Sequence, residues 1–431
     1  MFTLTRSATT PELPLVFVPG KERPRAEFRE DVRDFRDFGQ TTREFPISYQ
    51  TTEGELAQVP AYVNEFWTAR QRQAHSLHEI SYRACFKPQL PRFFIERLTQ
   101  AGDPVYDPFM GRGTTLLEAA LLERVPYGCD VNPLSAILTR PRLHPPAVAQ
   151  VAKRLEDIDF SAISEWPEEL LVFYHPETLR QICALKKYLL DRRKTRASDP
   201  IDDWISVIAL NRLTGHSPGF FSVYTLPPNQ AVSVKSQQKI NADRNQVPPR
   251  RDVPKLILKK SRILLSDCDE RTWERLERAN SKGMLLIRDS ARTPEIRGES
   301  VSLVVTSPPF LDVVDYATDN WLRCWFVGID AKGVKLTVPK KLEAWRAAMT
   351  EVFVELHRVL KPGGHVAFEV GEIHSGKTKL EETVLPCGVA AGLEPVLILI
   401  NDQKFTKTAN CWGVENNSKG TNTNRIVVFR K

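Results

Sequence analysis

One segment, residues 103–124, constrains the fold more than any other part of the sequence. The strand-like run PVYD is followed by Gly111 and Gly113 and then by TTLLEAALLER, whose apolar residues recur at helical spacing. This order predicts a strand, a glycine turn and a helix. Such a unit is typical of α/β domains, in which strands of a largely parallel sheet alternate with helices.

The same alternation continues on both sides of a long interruption. A second strand and turn, PYGCDVNP, precedes a helix predicted to begin near Pro133, because proline is tolerated in a first helical turn. After about residue 280 come the strand-like runs GMLLIRD, SVSLVVT, HVAFEVG, EPVLILIND and NRIVVFRK, together with the predicted helix LEAWRAAMTEVFVELHRVL and the predicted turn KPGG. Near-continuous apolar strands and amphipathic helices indicate a parallel or mixed sheet that is covered on both faces.

The interruption divides the chain into four expected regions. Residues 1–60 mix charged, proline and aromatic residues and are predicted to form an N-terminal extension. Residues 61–140 and 281–431 carry the two parts of the α/β domain, and residues 141–280 form an insertion between them. The insertion combines helical stretches such as LRQICALKKYLLDRRKTR with a basic, proline-rich segment.

The charge and the cysteine content indicate the kind of partner that the protein binds and the cellular environment in which it works. The chain of 431 residues has 60 basic and 53 acidic side chains and a net charge of +7, which is the sign that a polyanion-binding protein needs. Its seven cysteines are an odd number and include no CxxC pair, which argues against a disulfide framework and a structural zinc site. With no signal-like N-terminus and no apolar run of membrane-spanning length, we expect a soluble cytoplasmic protein.

Three acids follow three successive predicted strands. Asp107, Asp130 and Asp289 each end a strand, and Gly111 and Gly113 follow the first of them. In α/β sheets ligands bind at the carboxyl ends of strands, glycine lets the backbone approach a ligand, and an acid after the second strand can accept hydrogen bonds from a ribose diol. The structural alternative is that each acid only caps a helix or forms an Asx turn.

The run VVTSPPF, residues 304–310, follows the fourth strand of this order. This run resembles a signature segment of the amino-methylating DNA methyltransferases, which act on the exocyclic amine of a base. Such an amine is a poor nucleophile because its lone pair is delocalised into the ring. We expect the Ser307 hydroxyl and the Pro308 carbonyl to hold such an amine at a rigid turn. Pro309 would fix the turn, and Phe310 would stack on a base flipped out of the duplex. This chemistry requires no metal ion and no covalent nucleophile. The alternative is that the prolines merely end a strand.

These segments resemble the motifs of the amino-methylating DNA methyltransferases. DPFMGRGTT is similar to motif I of that family, and SYRACFKPQLPRFFIERL is similar to motif X, which packs near the methionine end of the cofactor. The resemblance implies S-adenosyl-L-methionine (AdoMet) as cofactor and a Rossmann-like fold with a mixed, mostly parallel, seven-stranded sheet. The implied neighbours are Asp107, Phe109, Gly111, Gly113 and Thr114 for the methionine moiety, Asp130 for the ribose, Asp289 for the adenine and, from motif X, Tyr82, Phe86 and Pro88. For the last three, ordinary core packing is the alternative.

An apolar residue followed by TSPPF resembles the signature of the cytosine-N4 members of this family. Adenine-N6 members more often have Asp or Asn at the position of Ser307. The resemblance therefore implies site-specific methylation of cytosine N4 in DNA, with DNA as partner and, in a restriction-modification pair, a cognate restriction endonuclease. Adenine-N6 or RNA-base methylation stays open, and so does an inactive nucleic-acid-binding protein with this fold.

The insertion is the expected target-recognition region. Its basic residues are interspersed with Asn and Gln, which suits phosphate contacts and hydrogen bonds to base edges. An ordinary solvated surface is the alternative. The candidates for DNA contact are Lys235, Lys239, Arg244, Arg250, Arg251, Lys259, Lys260 and Arg262.

Overall fold

A nine-stranded mixed sheet forms the centre of the computed structural model. The structure describes residues 25–51, 53–68, 74–82, 85–225, 231–309, 316–331, 333–334, 341–370, 372–373, 378–402 and 423–431. The strands are β1 (Arg43–Gln50), β2 (Leu56–Asn64), β3 (Pro104–Asp107), β4 (Val125–Asp130), β5 (Met284–Ile287), β6 (Val301–Thr306), β7 (Leu360–Val370), β8 (Glu372–Ile373), β9 (Thr378–Lys379), β10 (Glu394–Asp402) and β11 (Thr423–Arg430). Strands β8 and β9 form a short pair outside the main sheet.

Helices pack on both faces of this sheet. Val304 and Val305, neighbours on β6, belong to buried clusters on opposite faces, as the alternation of side chains along a strand requires. No helix in the described ranges combines the length and apolarity needed to cross a membrane. The helices are α1 (Arg25–Arg33), α2 (Gln89–Leu98), α3 (Thr114–Leu121), α4 (Pro133–Leu143), α5 (Val148–Asp157), α6 (Pro176–Lys194), α7 (Pro200–Arg212), α8 (Val234–Asp243), α9 (Val253–Leu264), α10 (Glu270–Asn280), α11 (Tyr316–Val327), α12 (Leu342–Val359) and α13 (Leu380–Ala390).

The strand order is β1-β2-β10-β11-β7-β6-β3-β4-β5. Neighbours from β7 to β5 are parallel, and β11 is antiparallel to both β7 and β10. The predicted α/β, Rossmann-like fold with a mixed, mostly parallel sheet is therefore confirmed. Seven strands, β3 to β7, β10 and β11, fall on the seven strand-like runs of the sequence. Their apolar residues are mostly buried, except in the partly exposed outer strand β5.

The other two strands of the sheet were not predicted. Residues 43–64 form an antiparallel hairpin whose second strand, β2, pairs in parallel with β10. Pro46 and Pro60 face each other across the hairpin, and a proline within a run normally argues against a strand. The outer strand β1 lies at the edge of the sheet, where a residue without an N–H group is tolerated.

The predicted turn KPGG lies within β7 as an irregularity. Val301 of β6 pairs with Leu360, and Leu303 pairs with His365, so residues 361–364 bulge out of the ladder. Gly363 has a φ of +80°, which a residue with a side chain rarely adopts. The strand resumes at His365, as predicted.

The order of the parallel strands reverses between β3 and β6. These strands are neighbours in the sheet, with Val105 beside Leu303 and Tyr106 beside Val304, although about half the chain separates them in sequence. From this point the chain runs outward to β4 and β5 on one side and to β7 on the other. Ligands of such sheets bind in the crevice at the carboxyl ends of the strands at the reversal.

The insertion is helical. Helices α5 to α9 follow α4, and they share a buried apolar cluster with α3 and α4 that includes Leu117, Leu138 and Trp204. The segment interpreted as basic and proline-rich contains α8 and α9, which begin at capping side chains of Ser233 and Asp252. The inserted helices thus pack directly against the layer that supports the first glycine turn.

Candidate active site

Asp107 lies at the carboxyl end of β3, on one side of the reversal. Its Oδ1 accepts hydrogen bonds from the amide of Phe109 at 3.1 Å and from the hydroxyl of Thr306, the last residue of β6, at 2.6 Å. The side chain is 2 % exposed, and burial raises the pKa of the carboxyl to about 7 against the effect of these hydrogen bonds. The Thr306 contact joins the two strand ends that flank the crevice.

The glycine turn after β3 requires both of its glycines. Gly111 and Gly113 have φ angles of +48° and +74°. A Cβ at Gly113 would lie less than 3.0 Å from the side chain of Thr139, whereas the same atom at Gly111 would meet nothing closer than 3.9 Å. Helix α3 begins at the buried Thr114 directly after this turn. The turn therefore packs closely against α4 and leaves the backbone of Gly111 accessible.

Asp130, at the end of β4, holds the same turn from the side. Its Oδ2 accepts from the amide of Gly111 at 2.9 Å, and its Oδ1 accepts from the amide of Asn132, also at 2.9 Å. Burial raises the pKa of this carboxyl as well. Asp130 is thus more than an Asx turn, because it also connects the ends of the first two strands of the parallel sheet.

Asp289 stands apart from the other two acids. It follows β5, is exposed, and accepts a hydrogen bond from the amide of Ala291 at 2.9 Å, which is the Asx-turn alternative left open by the sequence. Ile287, beside it, was not predicted from the sequence. This residue is 52 % exposed and pairs in register with Asp130, so an apolar side chain borders the end of β4.

Two buried arginines fasten the segment before α2 to the glycine turn. Arg112 donates to the carbonyl of Ile80 at 2.8 Å and to the hydroxyl of Thr114 at 3.1 Å. Arg142 of α4 donates to the backbone carbonyl of Arg112, and burial lowers the pKa of Arg142 to about 9. Neither residue was predicted. An arginine between two glycines of a turn, as Arg112 is, ordinarily indicates exposure.

Tyr82, Phe86 and Pro88 lie in the fastened segment. Tyr82 is buried, and its Cε1 would be 3.9 Å from a Cβ at Gly111, so its ring borders the glycine turn. Phe86 is half-buried against the apolar cluster that contains α2, and Pro88 is the buried N-cap residue of α2. Two of the three predicted residues thus contact the turn, because the carbonyl of Phe86 also accepts a hydrogen bond from Arg112 at 3.5 Å.

The loop after β6 begins on the other side of the crevice. Ser307 and Pro309 are half-buried, and Pro308 is buried. The carbonyl of Pro309 accepts a hydrogen bond at 3.0 Å from Nε1 of Trp345, a fully buried residue of α12. Phe310, predicted to stack on a base, lies outside the described residues. Within the described ranges, no three His, Cys, Asp or Glu side chains are grouped so that they could hold a metal ion.

A further acid, Glu369, lies beside this loop. Thr306 pairs with Phe368, so Ser307 and Glu369 are the next residues of two adjacent parallel strands. Glu369 is 7 % exposed, its Oε1 accepts from Nδ2 of Asn424 at 2.5 Å, and burial raises the pKa of its carboxyl to about 7. In the sequence HVAFEVG this acid lies one residue before the end of the strand, whereas Asp107 and Asp130 are the last residues of theirs, so the sequence did not single it out.

Comparison with known proteins bears on the cofactor side of this geometry. Residues 6–136 match the family of N6/N4 methyltransferases described as DNA methylase. The matched segment contains the glycine turn, Asp107 and Asp130, but not the loop after β6. The family resemblance is therefore supported for an amino DNA methyltransferase, through less than a third of the chain.

Two relatives extend this similarity. The type II methyltransferase M.MvaI of Kocuria varians is 33% identical over 118 residues, which are 26% of this chain and 24% of that protein. The type II methyltransferase M.BsoBI of Geobacillus stearothermophilus is 25% identical over 297 residues, 60% of this chain and 54% of that protein. The chain thus spans about a quarter to about half of the length of these relatives.

One solved structure illustrates the limit of structural similarity. A TehB-like SAM-dependent methyltransferase from Corynebacterium glutamicum is 8% identical, with 79% of this chain and 86% of that chain covered, at a TM-score of 0.29. The fold is therefore assigned from the strand order of the sheet.

The basic residues of the insertion differ in exposure. Lys235, Lys239, Arg244, Arg250, Lys259 and Arg262 are exposed, and Arg251 is half-buried. The guanidinium of Arg244 lies 3.8 Å from the ring centre of Tyr224. Lys260 is buried with its Nζ 3.4 Å from Glu79, and burial lowers the pKa of its ammonium to about 8. We therefore do not retain Lys260 among the residues proposed to contact DNA, because it faces the interior.

Proposed function

We propose that the protein is an AdoMet-dependent DNA methyltransferase that acts on the N4 amine of cytosine. The observation that carries this proposal is the hydrogen bond between Asp107 and Thr306 at 2.6 Å. It brings the glycine turn, which suits a nucleotide-like cofactor, next to residues 307–309, the SPP loop, which suits an amine. A methyl donor and a methyl acceptor need this proximity.

The residues of the turn fit AdoMet as cofactor. The accessible backbone of Gly111 leaves room for close approach, and Asp130 is positioned at the second strand end to accept from a ribose diol. Asp107, when ionised, would favour the positive charge of the methionine moiety, and the exposed Ile287 offers an apolar surface beside Asp130 for an adenine ring. Bound there, AdoMet would supply the methyl group.

On the opposite side, chain residues would hold the base amine. The Ser307 hydroxyl and the Pro308 carbonyl would each accept a hydrogen bond from the amine. These hydrogen bonds favour a nitrogen whose lone pair is not delocalised into the ring. A carboxyl with a pKa of about 7 is partly ionised at neutral pH, so Glu369 could receive the proton that the nitrogen releases after methylation. None of these steps needs a metal ion or a covalent link to the base.

Substrate choice rests on the identity of Ser307 and on the charge of the insertion. A serine in the loop supports cytosine over adenine, and a base in a duplex must be flipped out to reach a site at the strand ends. The exposed cations of the insertion would contact DNA phosphates together with the half-buried Arg251; they are Lys235, Lys239, Arg244, Arg250, Lys259 and Arg262. A cognate restriction endonuclease is a further proposed partner. Adenine N6 is the second candidate, since the same geometry could hold either amine.

The test is incubation of the protein with AdoMet and mixed-sequence duplex DNA, followed by mass spectrometry of the digested nucleosides. We expect N4-methylcytosine from the wild type and none from Ser307→Ala, with AdoMet binding retained in both. N6-methyladenine would keep the mechanism and change the target. Methylation of RNA alone, or AdoMet binding without any methylated nucleoside, would contradict the assignment to DNA methylation.

A further inference from the structure

The backbone of the SPP loop has almost no hydrogen-bond donors of its own. Pro308 and Pro309 lack an N–H group, so after Ser307 the loop can be held only through its carbonyl oxygens. If the Pro308 carbonyl is to accept from the base amine, it cannot also anchor the loop. The Pro309 carbonyl is the next acceptor, and it is the one that Trp345 engages at 3.0 Å.

Trp345 is itself rigidly supported. It lies in the first turn of α12, where its amide donates to the carbonyl of Lys341, and its ring is fully buried in the cluster that also contains Val304 and Met349. Further along α12, the ring of Phe353 packs against Phe368 of β7 at 4.8 Å between ring centres. The indole N–H is therefore fixed relative to the sheet and not merely to the loop.

The other end of the loop is fixed in the same way. Thr306 donates to Asp107 at 2.6 Å, one residue before Ser307, and Trp345 donates to Pro309, one residue after Pro308. The two residues proposed to hold the amine thus lie between two side-chain hydrogen bonds. Displacement of a reacting group by about 1 Å can cost on the order of a hundredfold in rate.

We propose that Trp345 is a positioning residue for methyl transfer, which fixes the SPP loop through the Pro309 carbonyl. This inference rests on the proposed function, because it assigns the loop to the base amine. Trp345 acts on the step that depends on loop geometry and not on cofactor binding. Loss of its N–H should lower kcat and leave the AdoMet affinity unchanged.

Two substitutions separate this role from simple packing. Trp345→Phe keeps an aromatic ring in the cluster but removes the donor. Trp345→His removes more apolar volume, yet its Nε2 occupies the same place in the five-membered ring as the indole Nε1 and can donate in the neutral form. A positioning role predicts that Trp345→His retains more kcat than Trp345→Phe, and a packing role predicts the reverse order.

The chain offers a matched control in the insertion. Trp204 of α7 is also fully buried, and its Nε1 donates to the hydroxyl of Ser261 at 3.0 Å. Trp204→Phe should lower stability to a similar extent as Trp345→Phe but leave kcat near that of the wild type. Urea unfolding measures the free energy of unfolding of each variant, so that their stabilities can be compared.

The experiment measures kcat at saturating AdoMet and duplex DNA, together with AdoMet affinity. We expect Trp345→Phe to lose about 10- to 100-fold in kcat, Trp345→His to lose less, and AdoMet affinity to be unchanged in both. A wild-type kcat in Trp345→Phe, or a higher kcat in Trp345→Phe than in Trp345→His, would overturn the proposal. If Trp345→Phe does not fold, a loss of more than about 100-fold in Trp345→His overturns it, and a smaller loss supports it.

Backbone amide exchange distinguishes failure of this inference from failure of the proposed function. If the wild type methylates no nucleic acid, the proposed function fails. Exchange of the amides in β6 and Ser307 still reports on the anchor, which is the hydrogen bond between Trp345 and the Pro309 carbonyl. Faster exchange in Trp345→Phe than in Trp345→His supports the anchor. Equal exchange in the two variants, each compared with the wild type, contradicts it.

Discussion

The proposed cofactor side and the proposed amine side of the crevice are built differently. Asp107, the two glycines and Asp130 lie within 24 consecutive residues of one strand–turn–helix–strand unit, in which both carboxylates accept hydrogen bonds from backbone amides of the turn. Ser307, Trp345, Glu369 and Asn424 are spread over more than a hundred residues and come together only in the folded sheet. One side is thus a local motif, and the other is an assembly of distant residues.

This difference predicts different responses to substitution. In a local motif each residue supports the conformation of its neighbours, so a change should affect folding and cofactor binding together. In the assembled side the sheet supports each residue separately, so a change there should lower the rate of methyl transfer while AdoMet binding persists.

The largest expected effect is that of Gly113→Ala. The added Cβ would lie less than 3.0 Å from the Thr139 side chain at a φ of +74°, so the free energy of unfolding should fall by about 3 kcal/mol or more, and AdoMet binding should be lost. Urea unfolding and an AdoMet titration measure both. Gly111→Ala is the control, because its Cβ would meet no atom closer than 3.9 Å and only the backbone strain of about 1–2 kcal/mol remains. Equal stability of the two variants would contradict the packing argument.

The next effect concerns the assembled side. Glu369→Gln preserves shape but removes a group that can take up a proton, so kcat should fall by about 100-fold while the AdoMet affinity stays the same. Glu355→Gln is the control, since Glu355 is a buried acid of α12 that accepts from the amide and the hydroxyl of Thr293 and has no proposed part in methyl transfer. It should lower stability and leave kcat unchanged. A joint loss of AdoMet binding and kcat in Glu369→Gln would show that the two sides are not separate.

A smaller effect is the pH dependence of AdoMet binding. Burial raises the pKa of Asp107 to about 7, so the carboxyl is largely protonated below that pH and ionised above it. A cationic ligand favours the ionised form, and AdoMet affinity should therefore increase as pH rises through 7. The same raised pKa means that the folded state binds more protons than the unfolded state between about pH 4 and 7, so the contribution of Asp107 to stability falls as pH rises across that window. Titrations of wild type and Asp107→Asn between pH 5.5 and 8.5 test this, and an unchanged pH profile in the variant would contradict it.

The contrast also explains what the sequence could predict. The seven core strands and the glycine turn follow from local periodicity and spacing, and the chemistry of Asp107 and Asp130 follows from their place after a strand. Glu369 and Trp345 occur in segments that look like an ordinary strand and an ordinary helix, and only the pairing of β6 with β7 and the packing of α12 bring them to the loop. The hairpin of β1 and β2 was missed because Pro46 is acceptable only on an edge strand, and Pro60 only because the ladder of β2 with β10 begins one residue later, at Ala61. Both positions are properties of the whole fold.

The exposure of individual basic residues also could not be predicted from the local sequence. Lys259 and Lys260 are identical neighbours in sequence, yet one is exposed and the other is buried against Glu79, because successive residues of α9 face different sides. A basic run therefore predicts the sign of a surface but not which of its members reach that surface.

The hydrogen bond between Thr306 and Asp107 is the point at which the two sides meet, and its removal tests the account most directly. The measurement compares AdoMet affinity and single-turnover methyl transfer in the wild type, in Thr306→Val, and in Thr178→Val, which removes a buried hydroxyl that donates to Arg251 in the insertion. Loss of one hydrogen bond is worth about 1 kcal/mol, so Thr306→Val should weaken AdoMet binding and slow methyl transfer by about fivefold each, while Thr178→Val changes neither. If Thr306→Val binds AdoMet and transfers methyl groups as the wild type does, the crevice is not one site, and the account is wrong.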